Sequence, residues 1–183
     1  MTSVWRHLLP AVAVLALGGL FAFALVRIGS GALDVHEIKS PLIGRSAPAF
    51  DLPSVVDPAK RVATKSLAGR MYVLNVWGTW CGACRDEHSA LLAIARTNAV
   101  PIIGMDWRDE HDQAVSYLSE LGNPYAEVAA DADGRAAIDW GVYGAPETFL
   151  VSASGTVLEK HIGALTDEIW KTKFVPHLAK GSP

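Results

Sequence analysis

Three hydrophobic patterns follow one another along this chain. The first is a run without alternation: nineteen uncharged, mostly apolar positions from Leu8 to Val26, bounded by Arg6 and His7 before it and Arg27 after it. A helix of about 20 such residues crosses a hydrocarbon core, and Pro10 falls in the first turn, where a missing N–H does no harm. Cleaved signal peptides carry a shorter apolar region of about 7–15 residues before a small-x-small site. Here Ser30-Gly-Ala32 is only a weak match. Residues 1–28 are therefore expected to form an uncleaved signal-anchor, one transmembrane helix. Arg6 and the amino terminus outweigh Arg27, which leaves the N-terminus in the cytoplasm and exports the rest. Ser30–Ala47 is rich in Gly and Ser and carries Ser40-Pro41 and Ala47-Pro48, as a tether would. With the folded domain placed from 41, the expected division is a tether over 29–40 and a domain over 41–183.

The second pattern is short and strand-like, and the third repeats at helical spacing. Phe50–Pro53 and Lys60–Lys65 read as a hairpin with Asp57-Pro58 at the bend, and Ser66–Gly69 as a turn. Met71–Trp77 is a β-branched and aromatic run suited to a central strand. After Cys84, Leu91, Leu92 and Ala95 share a helix face that ends near Asn98. Val100–Met105 is the next strand. Asp109–Leu121 predicts an amphipathic helix, opened by acids, closed by Gly122, with Ala114, Val115, Leu118 and Leu121 inward. A short strand over Tyr125–Val128 and a short helix over Asp133–Trp140 follow. Gly144–Val151 enters a strand, Ser154-Gly155 turns it, Thr156–His161 returns, and Thr166–Leu178 closes the chain as a helix with Ile169, Trp170 and Phe174 apolar. Strands alternating with helices predict an α/β sheet.

Composition narrows the function. A chain of 183 residues suffices for one domain and an appendage. A formal net charge of -3 gives no basic footprint, so nucleic acid is not an expected partner. The only two cysteines are Cys81 and Cys84. Two thiols make no disulfide framework, which leaves catalysis or metal binding. Cys81 falls where the predicted strand meets the next helix, so free N–H groups and the helix dipole favour its thiolate. Cys84, one turn on, is spaced to resolve a mixed disulfide formed by Cys81. A zinc site would need four ligands, and even with His88 one is missing. Copper held by both thiolates and a distant histidine such as His161 is the alternative of another class, a metallochaperone.

The string Trp77-Gly-Thr-Trp-Cys-Gly-Ala-Cys-Arg-Asp-Glu-His88, with a proline opening a later strand, resembles the thioredoxin superfamily. Pro41-Leu-Ile-Gly-Arg-Ser-Ala-Pro-Ala-Phe50, Glu120-Leu-Gly-Asn-Pro-Tyr-Ala126 and Gly141-Val-Tyr-Gly-Ala-Pro-Glu-Thr-Phe149 narrow the resemblance to the DsbE/CcmG family, over about Pro41 to Gly163. Those are membrane-anchored periplasmic thiol:disulfide interchange proteins of cytochrome c maturation. The resemblance implies a thioredoxin-like fold, a central mixed sheet flanked by helices, with a helix-plus-strand insertion over Asp109–Trp140. It implies that Pro146 is a cis-proline facing the disulfide and leaves the Ala145 backbone open to an extended substrate. Ordinary thioredoxins carry a buried aspartate six residues before the first cysteine. Here that position is Asn75, which cannot take a proton, and the resemblance assigns Glu87 and Glu147 to an acidic patch by the cysteines. Such a patch would oppose the helix dipole and raise thiol pKa values. Trp80 and Tyr143 are expected to meet the partner, and Trp77 to be core.

By the same resemblance the implied clients are apocytochrome c haem-attachment cysteines or thiol proteins of the attachment machinery. Electrons would come from a membrane thiol reductant, with no prosthetic group beyond a Cys81–Cys84 disulfide. The expected location is the bacterial inner membrane, single-pass, with the C-terminal domain in the periplasm. The nearest alternative client is the copper-site cysteine pair of a cytochrome oxidase subunit.

Overall fold

The computed structural model describes residues 10, 12–23 and 40–180. The chain divides into two units, residues 1–38 and 39–183. In the first, residues 12–23 are helical. Among the described residues no helix is long and apolar enough to cross a membrane; the remainder of the expected anchor and residues 29–39 of the expected tether lie outside them.

In the second unit, five strands form one mixed sheet: β3 (Tyr72–Trp77), β4 (Ile102–Trp107), β5 (Glu127–Asp131), β6 (Glu147–Val151) and β7 (Val157–Ile162), in the order β5-β4-β3-β6-β7. The first three are parallel, and β6 and β7 run antiparallel to their neighbours. The hairpin β1 (Asp51–Pro53) and β2 (Arg61–Ala63) stands apart as a two-stranded sheet. The parallel pairs need crossovers, and helices supply them: α1 (Gly82–Arg96) joins β3 to β4, and α2 (His111–Leu121) joins β4 to β5. The short α3 (Arg135–Asp139) follows β5. The expected α/β class, sheet and insertion are all present.

Residues 41–47 are part of the folded unit. The Gly44 N–H donates to Val157 O and the Ala47 N–H to Gly155 O, while Leu42 and Ala47 pack on the core. The edge is held by backbone bonds, which ask nothing of side chains.

Alternation along the central strands builds two cores, one on each face. Tyr72, Leu74 and Val76 join Met105, Phe149, Val151, Trp140 and Val62 on one side. Val73 and Trp77 join Ile102, Leu150, Leu91, Ile94, Tyr117, Leu118 and Phe174 on the other, beneath α1, α2 and the C-terminal helix. Gly104 is needed on this second face. A Cβ there would stand 2.9 Å from Trp77 Nε1 and from the Tyr125 ring, which cross the strand at that point.

Three elements differ from the sequence reading. In α2 the inward face is Ala114, Tyr117 and Leu118, whereas Val115 is 42% exposed. Tyr117 displaces it because its ring packs against Trp77 at 5.2 Å. Strand β5 starts at Glu127 rather than Tyr125, whose side chain instead inserts into the core. The terminal helix is broken into α4 (Asp167–Ile169), a π turn (Trp170–Phe174) and α5 (Val175–Lys180). Pro176 has no N–H to continue an i to i−4 ladder, and widened turns occur at such breaks. The π turn stacks Trp170 on Phe174 at 5.4 Å. Phe174 has no exposed surface. Truncation of Phe174 to Ala is expected to cost about 3–5 kcal/mol, read as a lower urea midpoint with the slope of the transition unchanged.

Candidate active site

Strand β3 ends at Trp77, and Gly78, Thr79 and Trp80 carry the chain over the sheet to the start of α1. The Cys81 N–H closes this turn on Gly78 O at 3.1 Å. Gly78 leaves room for the indole of Trp80, which a Cβ would meet at 2.5 Å and push aside. Cys81 is the N-cap of α1, and its Sγ accepts the Cys84 N–H at 3.1 Å. A sulfur thus takes the place usually filled by a Ser or Asp oxygen, at the positive end of the helix dipole. Cys81 and Cys84 are joined in a disulfide. Trp80, half-exposed at 54%, donates its indole N–H to Trp107 O at 3.1 Å, and Tyr143 is exposed. Trp77 is core, as expected.

The facing wall is the loop from Gly141 to Pro146. The Ala145–Pro146 bond is cis, and Ala145 O lies 3.3 Å from Cys81 Sγ. Behind that loop is an ion pair that sequence reasoning missed. Lys160 Nζ stands 2.7 Å from Glu147 Oε2, with side-chain exposures of 4% and 0%. Lys160 also donates to Gly141 O at 3.0 Å, and Glu147 Oε1 accepts the Tyr143 N–H at 3.2 Å. The Lys160 ammonium lies 5.2 Å from the centre of the Tyr143 ring and 5.0 Å from that of Phe149. The pair therefore ties down both ends of the loop. Glu147, expected as a substrate contact, has no surface to offer one and acts on the loop instead.

Nor do Glu87 and Glu147 form one acidic patch. Thr148 faces Asn75 across the sheet, so by alternation Glu147 faces the other way, beside Phe149. Glu87 lies one turn beyond Cys84 on α1, 2% exposed. Its Oε1 accepts from Asn75 Nδ2 at 2.8 Å, and its Oε2 accepts the Leu165 N–H at 2.6 Å. Asn75 also donates to Thr148 Oγ1 at 3.1 Å and accepts from Tyr125 OH at 2.9 Å. The substitution of Asn for an acid at 75 thus places an amide beside the acid at 87. Burial raises the Glu87 pKa from 4.5 to about 7, against the lowering effect of its two hydrogen bonds. That value suits a group exchanging protons near neutrality.

His88 is buried against Tyr117, with Nε2 2.9 Å from Gly122 O. His161 Nε2 lies 3.3 Å from Ala164 O, and burial lowers its pKa. Among the described residues, no group of three or more His, Cys, Asp or Glu is arranged to hold a metal ion.

Comparison with known proteins agrees with this geometry. The redoxin family model matches residues 42–174. The thiol:disulfide interchange protein DsbE of Allochromatium vinosum is 40% identical over 179 residues, covering 98% of this chain and 96% of that one. The DsbE of Pseudomonas aeruginosa is 43% identical, covering 86% and 88%. A thioredoxin-family thiol:disulfide interchange protein of Chlorobium tepidum superposes with a TM-score of 0.60 at 26% identity, covering 74% of this chain and 94% of the other. The fold is thioredoxin-like.

The buried acid gives the oxidised protein a defined pH dependence. Because the folded pKa of Glu87 lies above its ordinary value, the folded state holds more protons between pH 4.5 and about 7. Its stabilising contribution is complete below pH 4.5 and is lost as pH rises through about 7. The loss amounts to about 3–4 kcal/mol at most, taking 1.4 kcal/mol per unit. In Glu87→Gln this part of the slope should be lost from urea unfolding measured between pH 4 and 8, leaving the share of the other buried acid with a raised pKa, Asp106, while the disulfide stays intact.

Proposed function

Because the chain belongs to the DsbE family of thiol:disulfide interchange proteins, within the redoxins, we propose that it reduces disulfides of the cytochrome c maturation pathway in the periplasm. The chain is a thiol:disulfide oxidoreductase; the client, the compartment and the anchor are the parts proposed. One observation carries the reading: Cys81 caps α1 with its sulfur on the Cys84 N–H, directly under the carbonyl of Ala145.

In the reduced protein the Cys81 thiolate, favoured by that N–H and by the dipole, attacks one sulfur of a client disulfide. The client's other sulfur leaves as a thiolate and takes a proton. The Cys84 thiol then gives up its proton, and its sulfur attacks Sγ of Cys81. The second client sulfur is released and protonated, and two electrons have passed to the client. Glu87, on the Cys84 side of α1 and titrating near neutrality, is the group placed to receive the Cys84 proton. An extended client segment lies along Ala145 and the cis Pro146, between the exposed Trp80 and Tyr143. The domain is left oxidised, so a membrane thiol reductant must restore it.

Haem attachment through thioether bonds requires free thiols, and the segment that supplies them is a Cys-x-x-Cys-His run. In an oxidising compartment that run pairs unless a reductant such as this one opens it. The uncharged stretch from Leu8 to Val26 supports a single-pass anchor in the inner membrane, with the N-terminus in the cytoplasm.

The Cys84→Ser variant, expressed in its own cell envelope and quenched with acid, should accumulate mixed disulfides through Cys81. Apocytochromes or thiol proteins of haem attachment among the adducts, identified by mass spectrometry, are the expected result. Copper-oxidase subunits alone would replace the client, and the absence of any adduct from the folded protein would overturn the reading.

A further inference from the structure

Asp106 is a buried acid that the mechanism does not use. It is the next-to-last residue of β4, 2% exposed, on the same face as Trp77. Its Oδ1 has no hydrogen-bond partner, and the side chain faces a cleft lined also by Arg108, Asp109, Glu110 and His111. Asp109 lines the same cleft and its carboxyl acts directly on that of Asp106. The Asp109 carboxylate takes both donors of Thr79: Oδ2 accepts the backbone N–H, and Oδ1 accepts Oγ1–H at 2.8 Å. It also accepts the Glu110 N–H at 2.8 Å. Sequence reasoning gave Asp109 to the start of α2, but that helix begins at His111 without a side-chain cap. Asp109 grips the cysteine loop instead.

Resting on the exchange reading above, we propose that Asp106 and Asp109 are a proton-sharing carboxyl pair that positions Cys81 through Thr79. Asp106 keeps the proton and donates it to Asp109. Asp109, with three N–H and O–H donors aimed at it, holds Thr79 in the turn that the Cys81 N–H closes on Gly78 O. Trp80 is fixed beside it by its bond to Trp107 O, so the whole segment from Gly78 to Cys81 is set by the link between β4 and α2. Both acids are positioning residues; neither touches the client.

The groups around Asp106 give the pair its pH response. Burial, Asp109 and the more distant Asp131 raise the Asp106 pKa from 3.8 to about 8. Asp131 itself caps α3 through the Ala136 and Ala137 N–H groups, Tyr125 lies within range of the Asp106 charge, and Arg108, Glu110 and His111 line the cleft. When Asp106 ionises, two neighbouring carboxylates repel and the hold on Thr79 loosens.

The oxidised protein isolates this response, because its cysteines do not titrate. In NMR titrations from pH 6 to 10, the Thr79 amide and Trp80 indole N–H resonances should move together with a midpoint near 8. The transition should persist in Glu87→Gln and vanish in Asp106→Asn. In the reduced protein, Asp109→Asn should slow the reaction of Cys81 with a small aromatic disulfide about tenfold, a loss of orientation. An unchanged titration in Asp106→Asn, a titration abolished in Glu87→Gln, or full Cys81 reactivity in Asp109→Asn would each overturn the pairing. None of these readouts depends on the client, so failure here leaves the exchange reading standing.

Discussion

A helix cannot begin without something to accept its first N–H groups, and here that acceptor is a reactive sulfur. Cys81 must sit at the N-cap of α1 with extended backbone, while Cys84 is already helical. The surrounding structure secures that arrangement. Gly78 gives the Trp80 ring its space, Asp109 holds Thr79 at two points, and Ala145 closes in from β6. The same N–H that starts the helix also favours a thiolate at Cys81, so structure and reactivity at this point are one interaction.

The two buried glutamates show how differently one side chain is used on the two faces of a sheet. Glu147 meets an ammonium, and the charged pair becomes a fixed strut for the loop of Pro146. Glu87 meets only neutral donors, from Asn75 and Leu165. Without a cation the cost of ionising it in the core is not offset, and its proton becomes exchangeable near pH 7. The distinction arises from strand alternation: Thr148 turns towards Asn75 and Glu147 away from it.

Much of this was legible in the sequence. The β-branched run of β3, the cysteines at its junction with α1 and the string around Pro146 sufficed for the central strand, the cysteine pair at the helix start and the cis bond. Local patterns did not contain the long-range pairings. Nothing near Lys160 says that it meets Glu147, and nothing near Asp109 says that it bonds Thr79, thirty positions away. Acids at a helix start have a sufficient local explanation in the dipole, and that explanation concealed the tertiary one. Val115 was misplaced for a related reason: apolarity placed it inward, but the aromatic pocket around Trp77 took Tyr117.

The pairing of β3 with β6 has a consequence for how the molecule comes into being. Ala145 comes 64 positions after Cys81, and Thr148 stands 73 after Asn75. During synthesis the cysteines, their helix and Glu87 are therefore made well before the segment that roofs them and the strand that completes their surroundings. Until that late segment arrives, the two sulfurs keep the helix start that favours a thiolate but lack the Ala145 carbonyl over them and the Thr148 side chain beside Asn75. The middle of this sheet thus closes only after the edge strand β5 has been made, and the cover over the sulfurs comes with it.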